Sequence, residues 1–138
     1  SSVKLVEAEA NRLVQECNGD PQAFMSAHNF RAGNASEQPR LAAAYAHAGT
    51  SWRGSSAIAD LEASVEEMRK VTCPTLVIGG EFDFVTKACL RAWGEGLADV
   101  RFVTLANASH HALLEVPERY LKELSTFLQQ HEPTEKDK

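Results

Sequence analysis

Two short apolar runs set the problem this chain must solve. Thr75-Leu76-Val77-Ile78 is bounded by Pro74 and by Gly79-Gly80, and the run from Val100 to Leu105 is followed by a turn at Asn107-Ala108-Ser109. Neither shows the regular apolar/polar alternation that lets one face of a strand meet water, so both read as strands covered on both faces in a parallel sheet. Residues 86 to 98 between them have helical character, and Pro117 opens a last helix carrying Tyr120, Leu121, Leu124, Phe127 and Leu128 on one face. The order strand, helix, strand, helix predicts parallel strands joined by a crossover. Two strands alone would leave such runs under-covered, so the remaining strands are expected from another segment or another chain.

The first half of the chain is helical by pattern. Val3, Val6, Ala10, Leu13, Val14 and Cys17 recur at spacings of three and four, with Asn18-Gly19 as the stop. Asp20-Pro21 reads as N-cap and first helical position of a second helix, which carries Phe24, Ala27 and His28 and gives out near Gly33. A third helix is predicted over 37–48, and a fourth helical period runs through Ile58, Leu61, Val65, Met68 and Val71 after the loop 49–56. The division expected is a helical region over 1–56, an α/β part over 57–131 and a frayed tail over 132–138.

Composition narrows the function classes. The 138 residues are 43% hydrophobic and 24% charged, with 19 Asp and Glu against 14 Lys and Arg, for a formal charge of −5. That is an ordinary globular composition, with no apolar stretch near the roughly 18 residues a membrane span needs and no basic footprint for nucleic acid. Cys17, Cys73 and Cys89 lack disulfide or zinc-ligand spacing, and no secretory lead is visible, so a reducing cytoplasmic setting is the expectation. His28, His47 and His131 show no metal-ligand spacing and read as solvated or capping residues; no metal or cofactor is called for.

The chemistry sits after the two strands. Gly79-Gly80-Glu81-Phe82-Asp83-Phe84 follows the first and Asn107-Ala108-Ser109-His110-His111 follows the second, so both loops leave the same edge of the sheet. Ligands bind at that edge in open α/β folds, and an acid on one loop beside an imidazole on the next is what an orienting Asp–His pair requires.

These segments resemble the C-terminal part of the α/β-hydrolase family. Thr72-Cys73-Pro74-Thr75-Leu76-Val77-Ile78-Gly79-Gly80-Glu81-Phe82-Asp83 is similar to the stretch that introduces the catalytic acid in that family. Leu105-Ala106-Asn107-Ala108-Ser109-His110, followed by Leu114-Glu115-Val116-Pro117-Glu118, is similar to the stretch that introduces the catalytic histidine and the last helix. The resemblance covers roughly residues 60 to 130. It implies that Asp83 is the acid and His110 the base of a Ser-His-Asp triad, and that residues 1–56 are a helical cap. It also implies that Phe24, Phe30, Tyr45 and Trp52 of the cap, with Phe84 and His111 beside the triad positions, are candidates to line a substrate pocket, although ordinary helix packing is the commoner role for any one cap aromatic. The Gly-Gly-Glu-x-Asp-Phe wording looks like proline iminopeptidase-type peptidases and related esterases.

Two departures stand out. The family usually has glycine where this chain has Asn107 and Ser109, although Asn tolerates positive φ better than most residues. The nucleophile is missing: no G-x-S-x-G elbow occurs, and Gly49-Thr50-Ser51-Trp52-Arg53-Gly54 has one residue too many and no strand before it. The implied partner is therefore a polypeptide or segment carrying the elbow and the other strands, acting on a small ester or peptide. A different class of reading is a non-catalytic hydrolase half that binds a partner through the uncovered sheet edge. Such a half would be stable by itself or in a homodimer, whereas a chain that lacks its complement should be inactive and aggregate through open strand edges; a monodisperse monomer in analytical ultracentrifugation would contradict the latter.

Overall fold

A computed structural model describes residues 2–31, 39–40, 43 and 65–132. Helix α1 (Ser2–Glu16) is amphipathic as its spacing requires and buries Ala10 and Leu13. It ends in a Schellman motif with Asn18, at φ 54°, in the left-handed position: Asn18 N–H donates to Gln15 O and Gly19 N–H to Val14 O. Asp20 then caps α2 (Pro21–Phe24), its side chain accepting the Gln22 N–H at 2.9 Å with Pro21 at the first position.

The second helix differs from its sequence pattern in kind. After Phe24 the chain widens into a π-helical turn (Met25–Asn29), closed by Phe30 N–H to Met25 O. The turn ends by Phe30, short of Gly33, and its last carbonyls leave the helix to be satisfied elsewhere. Residues 39, 40 and 43 are helical within the third predicted stretch, whose other positions, Tyr45 included, lie outside the described residues, as do Trp52, Ile58 and Leu61. Of the fourth helical period, α3 (Val65–Met68) is described, and it stops before Val71.

The sheet of the described residues is one parallel pair. Strand β1 (Thr75–Gly80) runs two residues past the predicted run, and β2 (Val100–Leu105) matches it; they pair from Thr75 with Val100 to Gly80 with Leu105. Helix α4 (Lys87–Gly94) makes the crossover and is shorter than the 86–98 pattern. It packs so close to β2 that a Cβ on Gly94 would enter the Phe102 ring, and a one-turn bond from Leu97 N–H to Gly94 O closes it. A short helix that the sequence pattern does not signal, α5 (Ala112–Glu115), precedes α6 (Pro117–Gln130).

Burial concentrates where the site will form. One apolar cluster joins Ala10 and Leu13 of α1 to Phe24 and Phe84; another joins Leu105, Ala108 and Ala112, with Ile78, Val103, Val116 and Tyr120 against it. The strand bodies are less covered. Thr75 to Ile78 are half-buried, and Phe102 is exposed. On α6, Phe127 is buried while Leu121 and Leu128 are exposed, so its apolar stripe is wider than the surface two strands offer. Among the described residues no helix is long and apolar enough to cross a membrane.

Gly80 is the tightest point. A Cβ there would lie 2.5 Å from the carbonyl oxygen of Ala108 and closer still to that of Ser109, both backbone atoms that cannot rotate away. At Gly79 the added atom would meet only the flexible tip of Leu90. Gly80→Ala should therefore cost about 1–3 kcal/mol in denaturant unfolding and Gly79→Ala clearly less; equal losses would contradict this packing.

Candidate active site

The acid loop is an extension of the strand ladder. Beyond Gly80, Glu81 N–H donates to Leu105 O and Phe82 N–H to Ala108 O, both at 2.9 Å, while Asp83 N–H turns back to Gly80 O at 3.3 Å. Two strands that ran side by side thus hand over to two loops bonded to each other. Glu81 adds a side-chain tie, its Oε2 accepting the Asn107 N–H at 3.0 Å.

The histidine loop is shaped by a left-handed residue and a half-buried carboxylate. Asn107 has φ 60°, a conformation asparagine adopts more readily than most residues, so one departure from glycine is accommodated by residue chemistry. Ser109, the other departure, is completely buried. Its Oγ donates to Glu115 Oε1 at 2.5 Å and its N–H to Glu115 Oε2 at 2.7 Å, while Oγ accepts the Arg31 N–H at 3.0 Å. A serine so enclosed is a structural clamp and has no access to a substrate. Nothing in the spacing of Ser109 and Glu115 signals this pair in advance.

The two loops bring Asp83 and His110 together. Asp83 is 8% exposed, and its Oδ1 accepts the Val85 N–H at 2.8 Å and the His110 Nδ1–H at 3.0 Å. The carboxylate oxygen can only accept, so the proton of that bond sits on Nδ1 and Nε2 is left as the basic nitrogen. The His110 side chain is 34% exposed, buried enough to hold an orientation and open enough to meet another group.

Aromatic rings surround the imidazole. Phe84 lies against His110 with centroids 4.3 Å apart, His111 meets His110 edge-on at 5.2 Å, and Phe30 approaches His111 at 6.2 Å. Phe24 packs on Phe84 at 6.0 Å and on His28 at 5.5 Å. The structure therefore gathers Asp83, His110, Phe84, His111, Phe24 and Phe30 into one contiguous group, with Phe24, Phe30 and Phe84 buried; Tyr45, Trp52 and Ser51 lie outside the described residues.

Sequence reasoning missed the helical segment's part. His28 is half-buried rather than solvated: its Nδ1–H donates to Phe82 O at 2.7 Å, and its carbonyl accepts the His110 N–H at 3.2 Å. The Asn29 carbonyl accepts the His111 N–H, and the Arg31 guanidinium carbon stands 3.5 Å from the Phe82 ring centroid. His131 does cap its helix, bonding Phe127 O. Among the described residues no group of three or more His, Cys, Asp or Glu side chains is arranged to hold a metal ion.

Burial holds the His111 imidazole below its ordinary pKa; the adjacent His110 adds to this, and Glu115 and Asp83 oppose it. A histidine whose folded pKa is depressed costs no stability while neutral in both states and penalises folding once the unfolded chain takes up protons. Stability should fall as pH drops below about 6.5, and His111→Phe should flatten that part of the melting-temperature profile between pH 7 and 5. An unchanged profile would contradict the burial of this ring.

No protein-family model matches the chain. Over 65 residues, 47% of this chain and 21% of the relative, it is 32% identical to the proline iminopeptidase of Saccharolobus solfataricus. The crystal structure of proline iminopeptidase from Mycobacterium smegmatis superposes with a TM-score of 0.68 at 23% identity, over 94% of this chain and 54% of that one. The structure of VinJ does so with a TM-score of 0.66 at 24% identity, over 91% and 46%. The chain thus spans about half the length of the solved structures it matches. Its two parallel strands with flanking helices form the C-terminal part of an α/β-hydrolase fold, similar in sequence to a proline iminopeptidase.

Proposed function

We propose that this chain supplies the acid and the base of a Ser-His-Asp triad for hydrolysis of an ester or peptide bond. The observation that carries the reading is the Asp83 Oδ1 to His110 Nδ1 hydrogen bond at 3.0 Å, placed at the C-terminal edge of two parallel strands. The similarity to proline iminopeptidase favours an aminopeptidase or a related esterase within that class.

The nucleophile would come from a segment or polypeptide bearing a G-x-S-x-G elbow and the rest of the sheet. The half-buried apolar strand β1 and the exposed Phe102 support this, because a sheet completed on its open edges would cover them. In the reaction the serine Oγ bonds to the substrate carbonyl carbon as its proton passes to His110 Nε2. His110 then returns that proton to the departing oxygen or nitrogen as the acyl bond breaks. Water repeats the sequence on the acyl-enzyme and regenerates the serine. Asp83 stays ionised throughout, holding the imidazole in its tautomer and stabilising the imidazolium. Backbone amides on the complementary half would bind the oxyanion, each worth about 3–4 kcal/mol.

The test is a fluorophosphonate probe with paired variants, on the assembled protein. Labelling should be abolished by His110→Ala, and Asp83→Asn should lower kcat by about 10⁴-fold while leaving the fold intact by circular dichroism. Full activity after His110→Ala, or an assembled protein that the probe never labels, would instead favour a non-catalytic half that binds a partner.

A further inference from the structure

The helical segment reaches both members of the Asp–His pair through one residue. His28 sits in the π-helical turn Met25–Asn29, and its carbonyl accepts the main-chain N–H of His110 at 3.2 Å. Its ring points the other way, and Nδ1–H donates to the carbonyl of Phe82, the peptide group that leads into Asp83, at 2.7 Å. The main chain of the base and the main chain of the acid are therefore both anchored on His28.

The neighbours reinforce the same two loops. Asn29 O accepts the His111 N–H, Arg31 N–H donates to Ser109 Oγ, and the Arg31 guanidinium covers the Phe82 ring. Phe24, one turn before His28, packs on Phe84, whose ring also meets the His110 ring. From this the geometry points to His28 as a positioning residue: its ring bond to Phe82 O and its main-chain bond to His110 set the distance between the Asp83 carboxylate and the His110 imidazole.

The ring bond has a specific chemical requirement. A carbonyl accepts only, so Nδ1 must carry hydrogen, which both the neutral Nδ1–H form and the imidazolium provide. Asparagine presents an amide N–H close to the position of Nδ1, whereas glutamine reaches to that of Nε2. Loss of the donor leaves the half-buried Phe82 carbonyl unpaired and frees the acid loop to shift, and an ångström-scale displacement at a reacting pair costs up to about 10²-fold in rate.

This role rests on the triad reading, so the experiment has one readout that depends on catalysis and one that does not. In the complete hydrolase, with His28→Asn and His28→Gln compared, Asn should keep kcat within about threefold. Gln should lower it by about ten- to a hundredfold with KM changed less than twofold. In parallel, the His110 Nδ1–H proton, followed by nitrogen-edited NMR, should exchange with solvent at the wild-type rate in the Asn variant and at least about tenfold faster in the Gln variant. Equal behaviour of the two variants in the exchange measurement overturns the positioning role, whatever the activity. If His110→Ala hydrolyses substrate as well as the unaltered protein, the triad reading fails, and the exchange rates alone then decide whether His28 holds the pair.

Discussion

Parallel strands normally part company at their ends, where each turns into its own crossover. Here the main chains stay bonded past Gly80 and Leu105 through Glu81 to Leu105 and Phe82 to Ala108. Gly80 is what permits it, because any side chain there would enter the carbonyls of Ala108 and Ser109. The Asp83–His110 hydrogen bond is a consequence of that stitched edge: two loops bonded at their bases can present an acid and an imidazole at a fixed distance without rigid side chains of their own.

Around the edge, polar groups with nowhere else to go serve as fasteners. The carbonyls at the end of the π-helical turn, those of His28 and Asn29, accept the amides of His110 and His111. Ser109 is buried, yet Glu115 and Arg31 satisfy both its hydroxyl and its amide, and among the described residues no buried side-chain polar atom lacks a partner. A helical segment and a strand-loop unit that share the apolar cluster of Ala10, Leu13, Phe24 and Phe84 are thus also joined by main-chain hydrogen bonding, which depends little on side-chain identity.

Much of this was legible in the residues. The cap at Asp20-Pro21, the helix start at Pro117, the Asn18-Gly19 stop and the parallel pairing of the runs at 75–78 and 100–105 follow from local rules of φ, capping and apolar continuity. The pairing of Asp83 with His110 follows from placing both on loops at one sheet edge. The close approach of Gly94 to Phe102 was not legible, because it is a distance between elements. The exposure of Leu121 and Leu128 was equally hidden, since a helix's apolar stripe says how much it could bury and nothing of how much surface faces it.

By itself the sequence determined the stop of α1, the starts of α2 and α6, the pairing type of its strands and the loops on which an acid and a histidine fall, all of which are encoded within a few residues of one another. Only the tertiary structure decided that His28, Arg31 and Glu115 hold those loops. Their partners are backbone groups and a serine distant in the sequence or concealed by an unremarkable spacing, and a carbonyl or amide carries no mark in the amino-acid sequence of who will bond it.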